Sequence, residues 1–158
     1  MLFEPIQIGG LELPNRIVVA PMCQYSAIDG CPSEWHNRHL GMLATSGASM
    51  LVLESTAVNL EGRISSRDLV LDSEKNRRCF SSLVKHLNCL SNTKLVLQLN
   101  HAGRKGSVNP PWMKHGANLT ADEGGWTTYS ASSIERDDGW QLPKQMTEEE
   151  IKHVEVAF

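Results

Sequence analysis

The stretch from Lys94 to Lys105, Lys-Leu-Val-Leu-Gln-Leu-Asn-His-Ala-Gly-Arg-Lys, decides the fold. It opens as a continuous apolar run and ends in a cluster of polar side chains. A run without polar alternation is typical of a strand buried on both faces, as in a parallel sheet. Two earlier runs repeat the pattern: Arg16–Ala20 leads into Pro-Met-Cys-Gln-Tyr, and Met50–Glu54 leads into Ser-Thr-Ala-Val. Together they predict three parallel strands, each followed by chemically distinctive residues.

Helical patterns separate these strands. Ser33 is a candidate N-cap for a helix that ends near Gly47, and a second helix with one apolar stripe begins near Ser73. Thr147 and Glu150 have the spacing of a capping box at the start of a third helix. Alternating strands and helices imply a parallel sheet with right-handed crossovers, either a doubly wound fold or an eight-fold barrel. No Gly-x-Gly-x-x-Gly motif follows the first strand, which disfavours a dinucleotide-binding doubly wound fold.

Two further segments complete the organisation of the chain. Phe3–Leu13 alternates on either side of a Gly-Gly pair and predicts a small hairpin before the first strand. His101–Met146 contains a Pro-Pro pair, several glycines and three tryptophans. Loops of this length inside a compact domain are usually functional lids or insertions.

Composition excludes several classes of protein. Fifteen basic and eighteen acidic residues give a net charge of −3, and both signs are scattered along the chain. Without a basic stripe, a nucleic-acid partner is not expected. No apolar stretch is long enough to span a bilayer, and no signal peptide is visible. We therefore expect a soluble, cytoplasmic chain with no membrane partner.

The cysteines and histidines do not predict a metal site. Since the cysteines form no Cys-x-x-Cys pair and the chain shows no export signal, we expect free thiols, inert at Cys31, Cys79 and Cys89. His36 and His39 have helical spacing but lack a third ligand, so a packing or capping role is favoured over metal binding. A structural role is expected for His101 as well.

Six motifs carry a resemblance to a known family. They are Leu-Phe-Glu-Pro at 2–5, Pro-Asn-Arg-Ile at 14–17, Ala-Pro-Met-Cys-Gln-Tyr at 20–25, Trp-His-x-x-His at 35–39, Ala-Val-x-x-Glu-Gly-Arg-Ile at 57–64 and Gln-Leu-x-His-Ala-Gly-Arg-Lys at 98–105. In content and order they resemble the Old Yellow Enzyme family. Cys23, where other members have threonine, and Tyr25 point to its thermophilic-like, xenobiotic-reductase-type subgroup.

The resemblance implies a TIM (β/α)8 barrel that binds FMN and takes its hydride from NADPH. The implied reaction is that of an ene-reductase, which reduces the C=C bond of a small α,β-unsaturated carbonyl compound (an enone). The parent enzyme is implied to be homo-oligomeric. A related FMN oxidoreductase, such as a dienoyl reductase, is an alternative.

The same resemblance implies roles for particular residues. Cys23 would adjust the reduction potential of the flavin, Tyr25 would contact the substrate, and Gln98 would hydrogen-bond the flavin ring. The implied cofactor-binding residues are Ala20, Pro21, Met22, Cys23, Ala57 and Gln98. Each role has a plainer alternative: Cys23 as a small buried hydrophobe, Tyr25 as a rim aromatic, and Gln98 as a partner for backbone groups.

The number of strands limits what the chain is expected to do. A TIM barrel has eight strand–helix units in about 250 residues, whereas this chain supplies about three and an amino-terminal hairpin. Residues 1–158 are thus expected to be the amino-terminal portion of a single FMN-binding barrel domain. We expect this chain alone neither to hold FMN tightly nor to reduce enones. A non-catalytic remnant, or a half-barrel that needs a partner chain, is the other alternative.

Overall fold

The computed structural model describes residues 1–158 and contains a parallel sheet, an amino-terminal hairpin and three α-helices. The strands are β1 (Ile6–Ile8), β2 (Leu11–Leu13), β3 (Val18–Val19), β4 (Met50–Ala57), β5 (Leu69–Val70), β6 (Lys94–Asn100), β7 (Tyr129–Ser130) and β8 (Lys144–Gln145). The helices are α1 (Glu34–Ala44), α2 (Glu74–Leu90) and α3 (Glu148–Ala157). None of the helices combines the length and apolarity needed to cross a bilayer.

The predicted hairpin is confirmed in β1 and β2, which pair antiparallel with Ile6 opposite Leu13. Its turn contains Gly9 at φ 57°, in the left-handed region that glycine adopts without steric cost. Leu13 is fully buried and anchors the hairpin to the rest of the chain.

Strand β4 is the centre of the parallel sheet. It pairs with β3 on one side and with β6 on the other, and the short β5 runs beside its last residues. Leu53 lies opposite Leu97, but the next pair joins Thr56 to Leu99, so β4 carries one extra residue. That extra residue is a β-bulge, which bends the strand and leaves one residue outside the regular ladder.

Burial of the strands differs from the prediction. Both helices of the crossovers lie on one face of the sheet, where Val19, Leu95 and Leu97 pack against the core. On the other face Val18 and Val96 are 46% and 38% exposed. We call this second face, on which Val18, Val96 and Gln98 lie, the open face. The prediction of strands buried on both faces was therefore wrong for β3 and β6, because nothing in this chain covers the open face.

The first predicted strand is also shorter than its apolar run. Only Val18 and Val19 of the run from Arg16 to Ala20 form a strand. The amide of Ile17 is bound by the Asn15 side chain, and Pro21 has no N–H to donate. Strand pairing therefore stops at both ends of the run.

All three helices begin where their caps were predicted. Ser33, Ser73 and Thr147 are the N-caps, and α1 and α3 begin with capping boxes. The apolar stripe of α2 packs Phe80, Leu83 and Leu87 against β4 and α1. Together with Leu40, Leu51 and Leu53 they form the core of the chain, which holds α1 and α2 against one face of the sheet.

The long segment after β6 has little regular structure. It contains three single-turn 3-10 helices and one short parallel pair, β7 with β8. Arg104 donates to the hydroxyls of Ser130 and Ser132 at 3.0 and 2.9 Å, which ties the segment back to the end of β6.

One prediction about the cysteines was wrong. Cys31 and Cys79, predicted to be free thiols, form a disulfide with their Cα atoms 5.7 Å apart. They are 48 residues apart in the sequence, and the packing of α2 against the chain after β3 brings them together. Cys23 and Cys89 are free, as predicted.

Candidate functional site

The carboxyl ends of β3 and β4 meet around Cys23. Since parallel strands end at the same edge of a sheet, the residues that follow them are neighbours. The segment after β3, which we call the Pro21–Tyr25 loop, is joined to β4 by the Gln24 N–H, which donates to the Glu54 carboxylate at 3.0 Å, and its Cys23 thiol lies near the Ser55 backbone. Ser55 lies in the bulged part of β4. Two of the three predicted strand-end motifs are therefore in direct contact.

The environment of Cys23 keeps its thiol protonated. Burial, followed by the negative charges of Asp68 and Glu54, raises the pKa of Cys23 to about 11. The Ser55 backbone acts in the opposite direction but does not compensate. A neutral, polarisable thiol suits a contact to an aromatic ring better than it suits nucleophilic attack, because the thiolate is the reactive form.

Tyr25 is held in an uncommon backbone conformation. Its φ is 49°, which few residues other than glycine adopt, and such outliers cluster at functional sites. The ring packs edge-on against Trp112, with ring centres 5.5 Å apart. Burial, with smaller contributions from Cys23, Asp68 and Glu54, raises the pKa of the phenol. Tyr25 is thus a proton-bearing hydrogen-bond donor at neutral pH.

The predicted residues Ala20 and Gln98 both lie on the open face. Side chains alternate along an extended chain, so the Ala20 side chain points away from the face on which Val19 packs against the core. The Gln98 side chain likewise points away from the face on which Leu97 packs. Both are exposed, and the Gln98 amide has no hydrogen-bond partner within the chain. Met22, two residues after Ala20, is 63% exposed. The methyl group of Ala20, the thioether of Met22 and the amide of Gln98 are therefore available to a flat, polar ligand.

Ala57 and Pro21 are less accessible. The side chain of Ala57 is buried, and its carbonyl accepts the Leu71 N–H at 2.8 Å. One lone pair of that carbonyl remains for another donor. Pro21 is half-buried at the start of its loop.

Two buried carboxylates were missed by the sequence analysis. Glu54 and Asp68 are 2% and 3% exposed, and both act on Cys23 and Tyr25. Asp68 is held by the Ser65 hydroxyl and the Ile64 N–H, and its burial raises its pKa. The sequence signal for Glu54 was its place directly after an apolar run, where a charged residue must be paired.

The histidines have structural positions. His36 is fully buried and its Nδ1 accepts the Ser33 N–H in the capping box of α1, while His39 stacks on Trp35. His101 accepts the Gly103 N–H, and burial lowers its pKa. No three His, Cys, Asp or Glu side chains lie close enough to hold a metal ion.

Comparisons with solved structures show the fold. The chain superposes on morphinone reductase with a TM-score of 0.79 at 19% identity, covering 99% of this chain and 42% of that one. The old yellow enzyme homologue from Zymomonas mobilis gives a TM-score of 0.76 at 18% identity, with coverage of 99% and 42%. These are TIM barrels, so the predicted fold class, an incomplete TIM barrel, is confirmed.

Comparisons of sequence show the family. The chain is 36% identical over 160 residues to an NADH:flavin oxidoreductase of Gibberella zeae, covering 99% of this chain and 38% of that protein. It is 35% identical over 163 residues to an NADPH dehydrogenase of a Geobacillus species, covering 100% and 42%. The chain thus spans about two fifths of the length of these relatives. The sequence model of the NADH:flavin oxidoreductase / NADH oxidase family matches residues 1–158, which is the whole of this chain. We conclude that the chain belongs to the NADH:flavin oxidoreductase / NADH oxidase family.

Proposed function

We propose that this chain supplies one side of the flavin site of an FMN-dependent NAD(P)H oxidoreductase, an ene-reductase that reduces the C=C bond of enones. The observation that carries the proposal is the open face itself. Gln98 presents an amide without a partner within the chain there, near the carboxyl end of β6. In a TIM barrel the residues at the carboxyl ends of the strands build the ligand site, and an exposed amide there can donate to and accept from a polar ligand.

The residues at this edge fit one side of a flavin ring. Gln98 would donate to and accept from the polar edge of the ring, and Ala20 leaves room for its flat face. Met22 and the protonated Cys23 supply soft, polarisable contacts. Bound FMN would supply hydride transfer from NADPH to the substrate. The protein residues orient the ring and tune its electronics.

The Tyr25 phenol has the position and protonation state for a substrate contact. Its raised pKa keeps the O–H donor available over the physiological pH range. Its ring is fixed by Trp112 rather than free to rotate into solvent. We propose that Tyr25 donates a hydrogen bond to the enone, and that Cys23 sets the reduction potential of the flavin through its neutral thiol.

The experiment that tests this proposal completes the barrel. The chain is fused to the remaining part of the Geobacillus NADPH dehydrogenase, and its visible spectrum, NADPH oxidation and enone consumption are measured. We expect a retained flavin band and enone-dependent oxidation of NADPH. Gln98→Leu should lower the flavin content, whereas Gln7→Leu in the distant hairpin should not. A folded fusion without flavin would refute the proposal.

A second candidate is favoured by the exposed sheet. The chain alone, with its open face uncovered, would not act as an enzyme but would pair with a polypeptide that supplies the missing strands. Val18 and Val96 give such a partner an apolar surface, and the free edges of β3 and β6 give it backbone groups to pair with. Co-purification of a chain that restores flavin binding would favour this candidate over the single-chain enzyme.

A further inference from the structure

Glu54 is a buried carboxylate to which the proposed reaction assigns no role. It lies near the end of β4 and is 2% exposed. A buried carboxylate is costly unless it is hydrogen-bonded or paired. One of its oxygens accepts the backbone N–H of Gln24 at 3.0 Å. Gln24 stands between Cys23 and Tyr25, so this bond fixes the main chain between the two candidate site residues.

The other carboxylate oxygen faces His36. Nε2 of His36 lies 3.4 Å from Oε2 of Glu54, and neither atom has another polar partner. Because Nδ1 of His36 accepts the Ser33 N–H, a neutral ring carries its proton on Nε2, on the side of Glu54. The carboxylate thus faces His36 of α1 on one side, without a hydrogen bond, and binds the Pro21–Tyr25 loop on the other.

The Pro21–Tyr25 loop needs such a restraint. Tyr25 has a φ of 49°, a conformation that persists only where the surroundings enforce it. The Gln24 side chain donates to the Met22 carbonyl at 2.8 Å and accepts from the Trp35 indole at 3.0 Å. On the main chain, the Ser26 hydroxyl donates to the Gln24 carbonyl at 2.9 Å, and Glu54 accepts the Gln24 N–H. Of these two partners, only Glu54 comes from the neighbouring strand.

We propose that Glu54 is a positioning residue, which fixes the Gln24 main chain so that Cys23 and Tyr25 keep their places at the carboxyl edge of the sheet. The importance of this for catalysis rests on the proposed function. The restraint itself does not, since it depends only on contacts within the chain.

Hydrogen exchange tests the restraint on the 158-residue chain. Glu54→Leu keeps the approximate size of the side chain but removes the acceptor, so exchange of the Gln24 amide should become about tenfold faster. Glu54→Gln retains an acceptor oxygen and should restore much of the protection. Asp68→Asn is the matched control, because Asp68 acts on Cys23 without bonding to Gln24, and it should leave this amide unchanged. Unchanged exchange in a folded Glu54→Leu chain would overturn the proposal.

A second measurement covers the case in which Glu54→Leu does not fold. The groups that act on the Cys23 thiol are Asp68, Glu54 and the backbones of Ser55 and of Cys23 itself. In a Cys89→Ser background, Glu54→Gln should move the midpoint of Cys23 alkylation to lower pH while the Gln24 amide stays protected. A midpoint equal to that of the parent chain would contradict a Glu54 carboxylate beside this loop. Neither measurement involves flavin, so both can succeed even if the proposed function fails.

Discussion

At the scale of single residues, Cys23 shows how a strand-end position controls chemistry. Burial and two carboxylates act in the same direction on its thiol, and the Ser55 backbone opposes them only in part. With a pKa of about 11, about one thiol in ten thousand is ionised at neutral pH. The residue is therefore poorly suited to attack an electrophile. A contact with a redox cofactor suits it better, because a polarisable atom close to such a cofactor changes its reduction potential.

Alkylation of Cys23 by iodoacetamide should accordingly require alkaline pH. In a Cys89→Ser chain we expect the rate of alkylation to rise about tenfold per unit of pH and to level off only near pH 11. The ordinary pKa is 9.0, so the folded chain keeps this proton when the unfolded chain has lost it. The free energy of unfolding should then fall as the pH rises from 9.0 towards 11. Urea-denatured chain provides the reference, and a folded-state plateau at the same pH as this reference would contradict the buried thiol.

At the scale of elements, helix α2 is stabilised at its own start and attached to the rest of the chain by its apolar stripe and a disulfide. Its Ser73 cap accepts the Asn76 N–H, its apolar stripe packs on β4, and Cys79 in its second turn is bonded to Cys31. Asn76 adds a weak contact to the Cys31 sulfur at 3.7 Å. The disulfide is thus placed where the chain after β3 meets the start of α2.

Removal of the disulfide should destabilise the chain measurably. Closing a loop of 48 residues restricts the unfolded chain, and we expect Cys31→Ser with Cys79→Ser to lower the free energy of unfolding by about 2–4 kcal/mol. Urea titration of the double variant against the parent chain measures the loss. Cys89→Ser, at an exposed position on the same helix, is the control and should have little effect. If a reducing agent and the double substitution both leave the midpoint unchanged, these cysteines do not form a stabilising bond.

Much of this arrangement followed from the sequence, and the exceptions have physical causes. The caps at Ser33, Ser73 and Thr147 were predicted because capping depends on residues a few positions apart. The Cys31–Cys79 bond and the carboxylate contact to Gln24 join residues 48 and 30 positions apart. Contacts of that separation leave no periodic signal. The strand-end motifs predicted which residues would be neighbours because parallel strands end together, but only the three-dimensional structure shows that Glu54 faces the loop.

At the scale of the whole molecule, the unequal faces of the sheet are the dominant feature. One face is covered by α1 and α2, whereas the other exposes valines that a complete barrel would enclose. The carboxyl-terminal helix adds exposed apolar residues of its own, including Ile151 and Phe158. Contiguous apolar surface of this kind promotes association.

We therefore expect the chain to self-associate as its concentration rises. Val96→Lys places a charge on the open face and should shift the population towards monomer, because the lysine would have to be desolvated in the contact. Ile134→Lys alters another exposed apolar residue, 61% exposed, in the long segment after β6 and not on the open face, and should leave association unchanged. Light scattering across a concentration series distinguishes these results. A parent chain that stays monomeric at every concentration would show that the open face does not promote association.

The bulge in β4 also governs how this strand can change over evolutionary time. The extra residue between Leu53 and Thr56 reverses the direction in which all later side chains of the strand point relative to a regular ladder. Deleting one residue there would restore regular pairing, yet it would exchange the inward and outward positions of the strand end and withdraw the backbone that reaches Cys23. A substitution alters the contacts of one side chain, whereas an insertion or deletion alters the contacts of every later residue in the strand. Insertions and deletions in this stretch should consequently be far rarer than substitutions.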